Sequence, residues 1–137
     1  FIIKMENKSK KILTEISAGE LLDKISILEI KLEKINDITA KTQIKKEHET
    51  LMHTLNSSIK LNKKINALFN SLKNINLKLW NIEDEIRICE KNKNFGDKFV
   101  KLARDVYLNN DDRSKVKSEI NKLLNSNIVE VKQYADY

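Results

Sequence analysis

Apolar residues recur along most of the chain at alternating steps of three and four, the spacing that lines one face of an α-helix. The first run is Leu21, Ile25, Leu28, Leu32 and Ile35. Ser17-Ala18-Gly19-Glu20 precedes it with capping-box spacing, a hydroxyl and a carboxylate three residues apart, so a helix is predicted to begin there and to end near Asn36-Asp37. A second helix is predicted over 39–56, with Ile44, Leu51 and Leu55 inward and Lys45, Lys46 and Glu49 outward. Asn56-Ser57-Ser58 is a weak break, so helices two and three are read either as separate or as one rod.

Leu68, Leu72, Ile75, Leu79, Ile82, Ile86 and Cys89 keep the rhythm longest and predict a coiled-coil-like helix over roughly 60–91, about 48 Å long at 1.5 Å per residue. Asn92 to Gly96 marks a turn. Phe95, Phe99, Leu102 and Val106 then set a fourth helix, and Asn109-Asn110-Asp111-Asp112 offers cap chemistry for a fifth carrying Val116, Ile120, Leu123 and Leu124. Ile12 to Ile16 and Ile128 to Lys132 are short and β-branched, and are expected as extended arms that pair or pack. The expectation is therefore an all-α antiparallel helical bundle or hairpin with one long helix and short extended arms at both ends. Its parts are an N-terminal arm over 1–16 and a single helical domain over 17–137.

Composition strengthens this reading. In 137 residues there is no proline and there are two glycines, Gly19 and Gly96, so turn-rich sandwiches and barrels are disfavoured. At 40% hydrophobic and 34% charged the chain is far from the composition of disordered proteins. The formal charge of +6 and a pI near 9.3 would ordinarily suggest nucleic acid or an anionic membrane surface as a partner. The excess comes from 23 lysines against three arginines, alongside abundant Ile and Asn, which is the bias of an A+T-rich genome. The lysines are also dispersed and aromatics are only 6%, so nucleic-acid binding ranks third among the functions weighed.

A lone cysteine, Cys89, fits a reducing cytoplasm. No apolar run approaches the roughly 18 residues of a membrane span. Met5 is a candidate initiator, with Phe1 to Lys4 upstream of it. His48 and His53 are five apart and do not share a helical face, so no metal is expected, and no motif calls for a cofactor.

The rare residues carry the candidate chemistry. Trp80, Glu83, Asp84 and Arg87 fall three or four apart beside the apolar seam. They form either a polar pocket, with Trp80 as its wall and Arg87 as a two-pronged anion holder, or an intrahelical ion-pair cluster. Arg104, Tyr107 and Arg113 follow, so that all three arginines lie within 27 residues and are candidates for a shared site. Ser17 and Gly19 open a helix with small residues and are read either as an anion seat or as a cap and a close-packing site. Asp23, Lys24 and Glu29 on the same helix read as a solvated face.

The blocks ISAGELLDKISILEIKLEKI (16–35), LWNIEDEIRICEKNKNF (79–95), FVKLARDVYLNNDDR (99–113) and NSNIVEVKQYADY (125–137), in this order, resemble the DUF6165 family of short bacterial helical proteins. The resemblance implies an accessory role in the setting of surface-polysaccharide biosynthesis. The leading expectation is a non-enzymatic protein that self-associates or docks a protein partner along its helical seams. The alternative is a small helical metabolite- or anion-binding protein, or a mutase-like enzyme that holds its substrate between arginines. The chain departs from the chorismate mutase pattern, because its first helix offers only Lys24 where an arginine is expected.

Overall fold

The computed structural model describes residues 10–137, so the readings of Met5 and of the first nine residues of the arm lie outside the described residues. The fold is all-α, with α1 (Ala18–Lys34), α2 (Ile38–Ser58), α3 (Lys63–Lys91) and α4 (Asp97–Leu123). Ser17, Asp37 and Asn62 cap the first three helices, each side chain accepting a hydrogen bond from the backbone N–H three residues on. Four residues, Ile59 to Asn62, separate α2 from α3, so the two are not one rod.

The fifth helix expected after Asn109 does not exist; α4 runs without a break through Asn109-Asn110-Asp111-Asp112. Asn109 does not cap there, and its Nδ2 instead donates to the carbonyl of Asp105 one turn back, at 2.8 Å. The apolar rhythm lapses at this point because Arg113 occupies the next inward position and faces a carboxylate on α1. A helix of 27 residues with no glycine or proline inside it has nothing to stop it.

Lys93 at φ 54° and Asn125 at φ 51° take the left-handed conformation that ends α3 and α4. The first of these turns folds α3 and α4 into an antiparallel hairpin. α1 is the hub: its backbone runs close to each of the other three helices, whereas the backbone of α2 comes close only to that of α1. The core joins Leu21, Leu22 and Ile25 of α1 to Leu55 of α2, Ile65 and Leu72 of α3, and Ile120 of α4.

The arms form neither helix nor strand among the described residues. They meet beside the start of α1, where Asn127 Nδ2 donates to the Glu15 carboxylate at 3.0 and 3.2 Å. No helix among the described residues is long and apolar enough to cross a membrane.

Candidate functional site

Gly19, Asp23, Ser26 and Ile30 form a second stripe on α1, separate from its leucine seam, and all four are buried. Gly19 makes this stripe possible by letting α4 come close. A Cβ at position 19 would stand 2.6 Å from the Lys117 carbonyl oxygen.

Asp23, only 1% exposed, is the centre of a polar cluster. Arg113 grips it with two donors: Nε lies 2.9 Å from Oδ1, and Nη2 bonds Oδ2. Asn76 of α3 donates to Asp23 Oδ1 at 2.9 Å and to Ser26 Oγ at 2.8 Å, while Ser26 donates to the Asp23 carbonyl. Every polar side chain of this buried group therefore has a partner, which is the condition under which charge can be taken out of water. The hydrogen bond to Asp23 drives Arg113 further toward its protonated form, against an opposing effect of burial.

Lys117 extends the cluster, with Nζ 2.8 Å from Glu20, 3.0 Å from Glu130 and 3.9 Å from Asp23. Burial works against its charge, but the bonds to Glu20 and Glu130 together with Asp23 outweigh it and raise its pKa above the ordinary 10.5.

Above this cluster α1 leaves the hairpin. Glu29 and Glu33 are tied to Lys73, which lies before Asn76 on α3, so α1 does not follow α3 toward its C-terminus. The divergence opens a cleft of about 500 Å³. Ile27, Ile30, Leu79 and Trp80 give it apolar walls, and Asn76, Asn110, Arg113, Glu83, Asp84 and Arg87 supply its polar groups. Arg87 bonds the Glu83 carboxylate one turn back and Arg113 is held by Asp23, so both guanidinium groups already have a counter-charge. Glu83 and Asp84 would oppose an incoming anion. The cleft suits a neutral or zwitterionic group better than a dianion.

Trp80, Glu83, Asp84, Arg87 and Arg113 thus line one cavity. Arg104 is exposed on α4 and is not among the residues lining it. Tyr107 lines a different cavity, beside the C-terminal arm. Ser17 and Gly19 stand at the start of α1, where the first-turn donors are occupied. The N–H of Ala18 bonds Ser126 Oγ at 3.0 Å, that of Gly19 bonds Asn121 Oδ1 at 2.7 Å, and that of Glu20 bonds Ser17 Oγ at 3.2 Å. The Glu20 carboxylate, expected to return to the cap, reaches Lys117 and Lys24 instead.

The sequence reading missed Asp23, Asn76 and Lys117. Asp23 belongs to no solvated face, and the available signal was its place in the stripe Gly19, Asp23, Ser26, Ile30 at steps of four and three. Asn76 sits one residue from the predicted seam position Ile75 and carries no local mark of burial.

We find no match to this chain among curated proteins or solved structures. A family model does match, over residues 12–136. The chain that carries this buried Asp23–Arg113 cluster belongs to DUF6165, a family of unknown function.

Proposed function

We propose that this is a non-enzymatic accessory protein of the bacterial cytoplasm that works by protein interaction, and that its partner is a second copy of the same chain. The observation that carries the reading is the bare outer half of the α3–α4 hairpin. Between residues 81 and 109 only Cys89 and Leu102 are buried. Ile88, Phe95 and Val100 are each at least half exposed. A two-helix layer buries its apolar residues fully only against another layer. Stacking two such hairpins gives a four-helix arrangement, and a two-fold axis supplies the same patch to both sides.

The end of α3 carries Glu83, Asp84, Glu85 and Glu90 with Arg87 and Lys91 among them, and the start of α4 carries Lys98, Lys101 and Arg104 with Asp97 and Asp105. Two-fold stacking with α3 over the partner's α4 sets a mildly acidic flank against a mildly basic one. The resemblance adds surface-polysaccharide biosynthesis as the setting.

Light scattering on the purified chain across a concentration series tests this. A dimer that Ile88→Glu with Val100→Glu disperses, while circular dichroism stays helical, supports it. A monomer at every concentration overturns it.

A second reading is favoured by the cleft at Trp80, whose size and apolar walls with convergent polar groups are those of a small-molecule site. A thermal-shift screen of amino acids, uncharged sugars and other neutral or zwitterionic metabolites, with dicarboxylates and phosphates as the disfavoured comparison, addresses it. A stabilising compound whose effect disappears in Arg87→Ala supports a metabolite site.

A further inference from the structure

All three tyrosines of the chain, Tyr107, Tyr134 and Tyr137, line a single cavity. It measures about 560 Å³ and lies between α4 and the C-terminal arm, with Val106, Asp111 and Lys132 among its other walls. The arm is exposed over 128–137, yet it is fastened along α4 at both ends of the cavity. Glu130 accepts a hydrogen bond from Lys117 at 3.0 Å, and the Tyr137 hydroxyl donates to the Asp111 carboxylate. These two ties run the arm antiparallel to α4 and hold the tyrosines of both segments together.

The rings of Tyr107 and Tyr137 stand nearly perpendicular, at 85°, with centroids 5.7 Å apart. Two perpendicular aromatic rings, a third tyrosine and a carboxylate border this corner. An alkylated ammonium group suits such a corner, because its charge is attracted to ring faces and its methyl groups displace water from them. Lys132 is the one cation in the wall, and Glu130 offsets it at 3.6 Å.

We propose that this cavity is an aromatic cage for a quaternary ammonium group. The cavity exceeds the volume of a trimethylammonium group alone, so there is room for the body of the molecule that carries it. Three sources present this chemistry: a free choline-like metabolite, a trimethylated lysine side chain and a choline lipid headgroup.

The test uses the intact chain, followed by two-dimensional NMR of its tyrosine ring signals during titration with tetramethylammonium, and with 3,3-dimethylbutanol as an uncharged control of similar shape. Saturable shifts of the tyrosine signals with the cation, absent with the alcohol, are the expected result. Tyr134→Ala, at an exposed position, and Asp111→Asn should each weaken binding about fivefold, whereas Tyr107→Phe, which keeps the ring face, should bind within about twofold of the parent. Equal response to the alcohol, no saturable response to the cation, or undiminished binding by Tyr134→Ala would overturn the proposal. Choline, a trimethyllysine peptide and phosphatidylcholine vesicles then separate the sources, and tighter binding of any one than of tetramethylammonium supports the cage.

Discussion

Replacing Gly19 by alanine puts a methyl group where α1 and α4 come closest. The new Cβ would stand 2.6 Å from the Lys117 carbonyl oxygen and 3.0 Å from Asn121 Oδ1. The nearer of these is helix backbone, which cannot swing aside as a side-chain end would, so α1 and α4 must move apart. Overpacking of this kind costs about 1–3 kcal/mol. The shift also stretches the 2.7 Å bond from the Gly19 N–H to Asn121, worth about 1 kcal/mol. The higher helix preference of alanine returns roughly 1 kcal/mol at most. The net expectation is a destabilisation of about 1–3 kcal/mol, or a fall in Tm of roughly 3–10 °C for a chain of this size. Urea unfolding followed by helical circular dichroism measures it, with an unchanged m-value showing that the folded state keeps its extent. A variant as stable as the parent, or more stable, would refute the claim that this glycine is fixed by the approach of α4.

Two further predictions concern the polar cluster. Asp23→Ala strips Arg113 and Asn76 of their shared partner and should cost about 3–5 kcal/mol, whereas Arg87→Ala removes only an exposed pair one turn apart and should cost less than about 0.5 kcal/mol. Equal losses in urea unfolding would mean that the Asp23 cluster is no more than surface pairing. The C-terminal arm should be fastened only over a window of pH. The Lys117 hydrogen bond holds Glu130 below its ordinary 4.5, so its contribution is present above that value and is lost as pH falls through the depressed pKa. Lys117, raised above 10.5, contributes below that value and loses its effect as pH climbs through the raised pKa. Protease cleavage within 128–137 should therefore be slow near neutrality and faster in acid and in strong alkali, and Lys117→Met should speed it near neutrality; cleavage of the parent as fast as of Lys117→Met near neutrality would argue against the tie.

Which parts of this fold could be read from sequence follows from how locally each is encoded. The cap at Ser17 and the seam of α1 depend on residues within a turn or two, and periodicity shows them directly, whereas of the seam expected along α3 only Leu72 and Cys89 are buried. The grouping of Trp80, Glu83, Asp84 and Arg87 was legible for the same reason, because neighbours at three and four residues share a helical flank. Asp23 was not, because an acid beside Leu22 looks like the edge of a seam until Arg113, 90 residues later, is set against it. The same pairing misled the reading of α4. An apolar count treats Asn109 to Arg113 as a gap between two helices, when it is one helix crossing a core that is polar at that level. Arg104 and Arg113 are both near Arg87 in sequence, yet only Arg113 reaches its cleft, since helical rotation rather than separation decides the outcome.

The position of α1 between the other three helices has a consequence for how the molecule assembles and comes apart. α3 and α4 adjoin in sequence, so their hairpin closes only a short loop. α1 must arrive from upstream of α2, and the backbone of α2 lies close only to that of α1. Loss of α1 would therefore part α2 from its nearest backbone neighbour and uncover the hairpin at the same time. The stripe of Gly19, Asp23 and Ser26 is where this one helix is fastened to Asn121, Asn76 and Arg113, so a disturbance there should loosen the whole molecule rather than one corner of it.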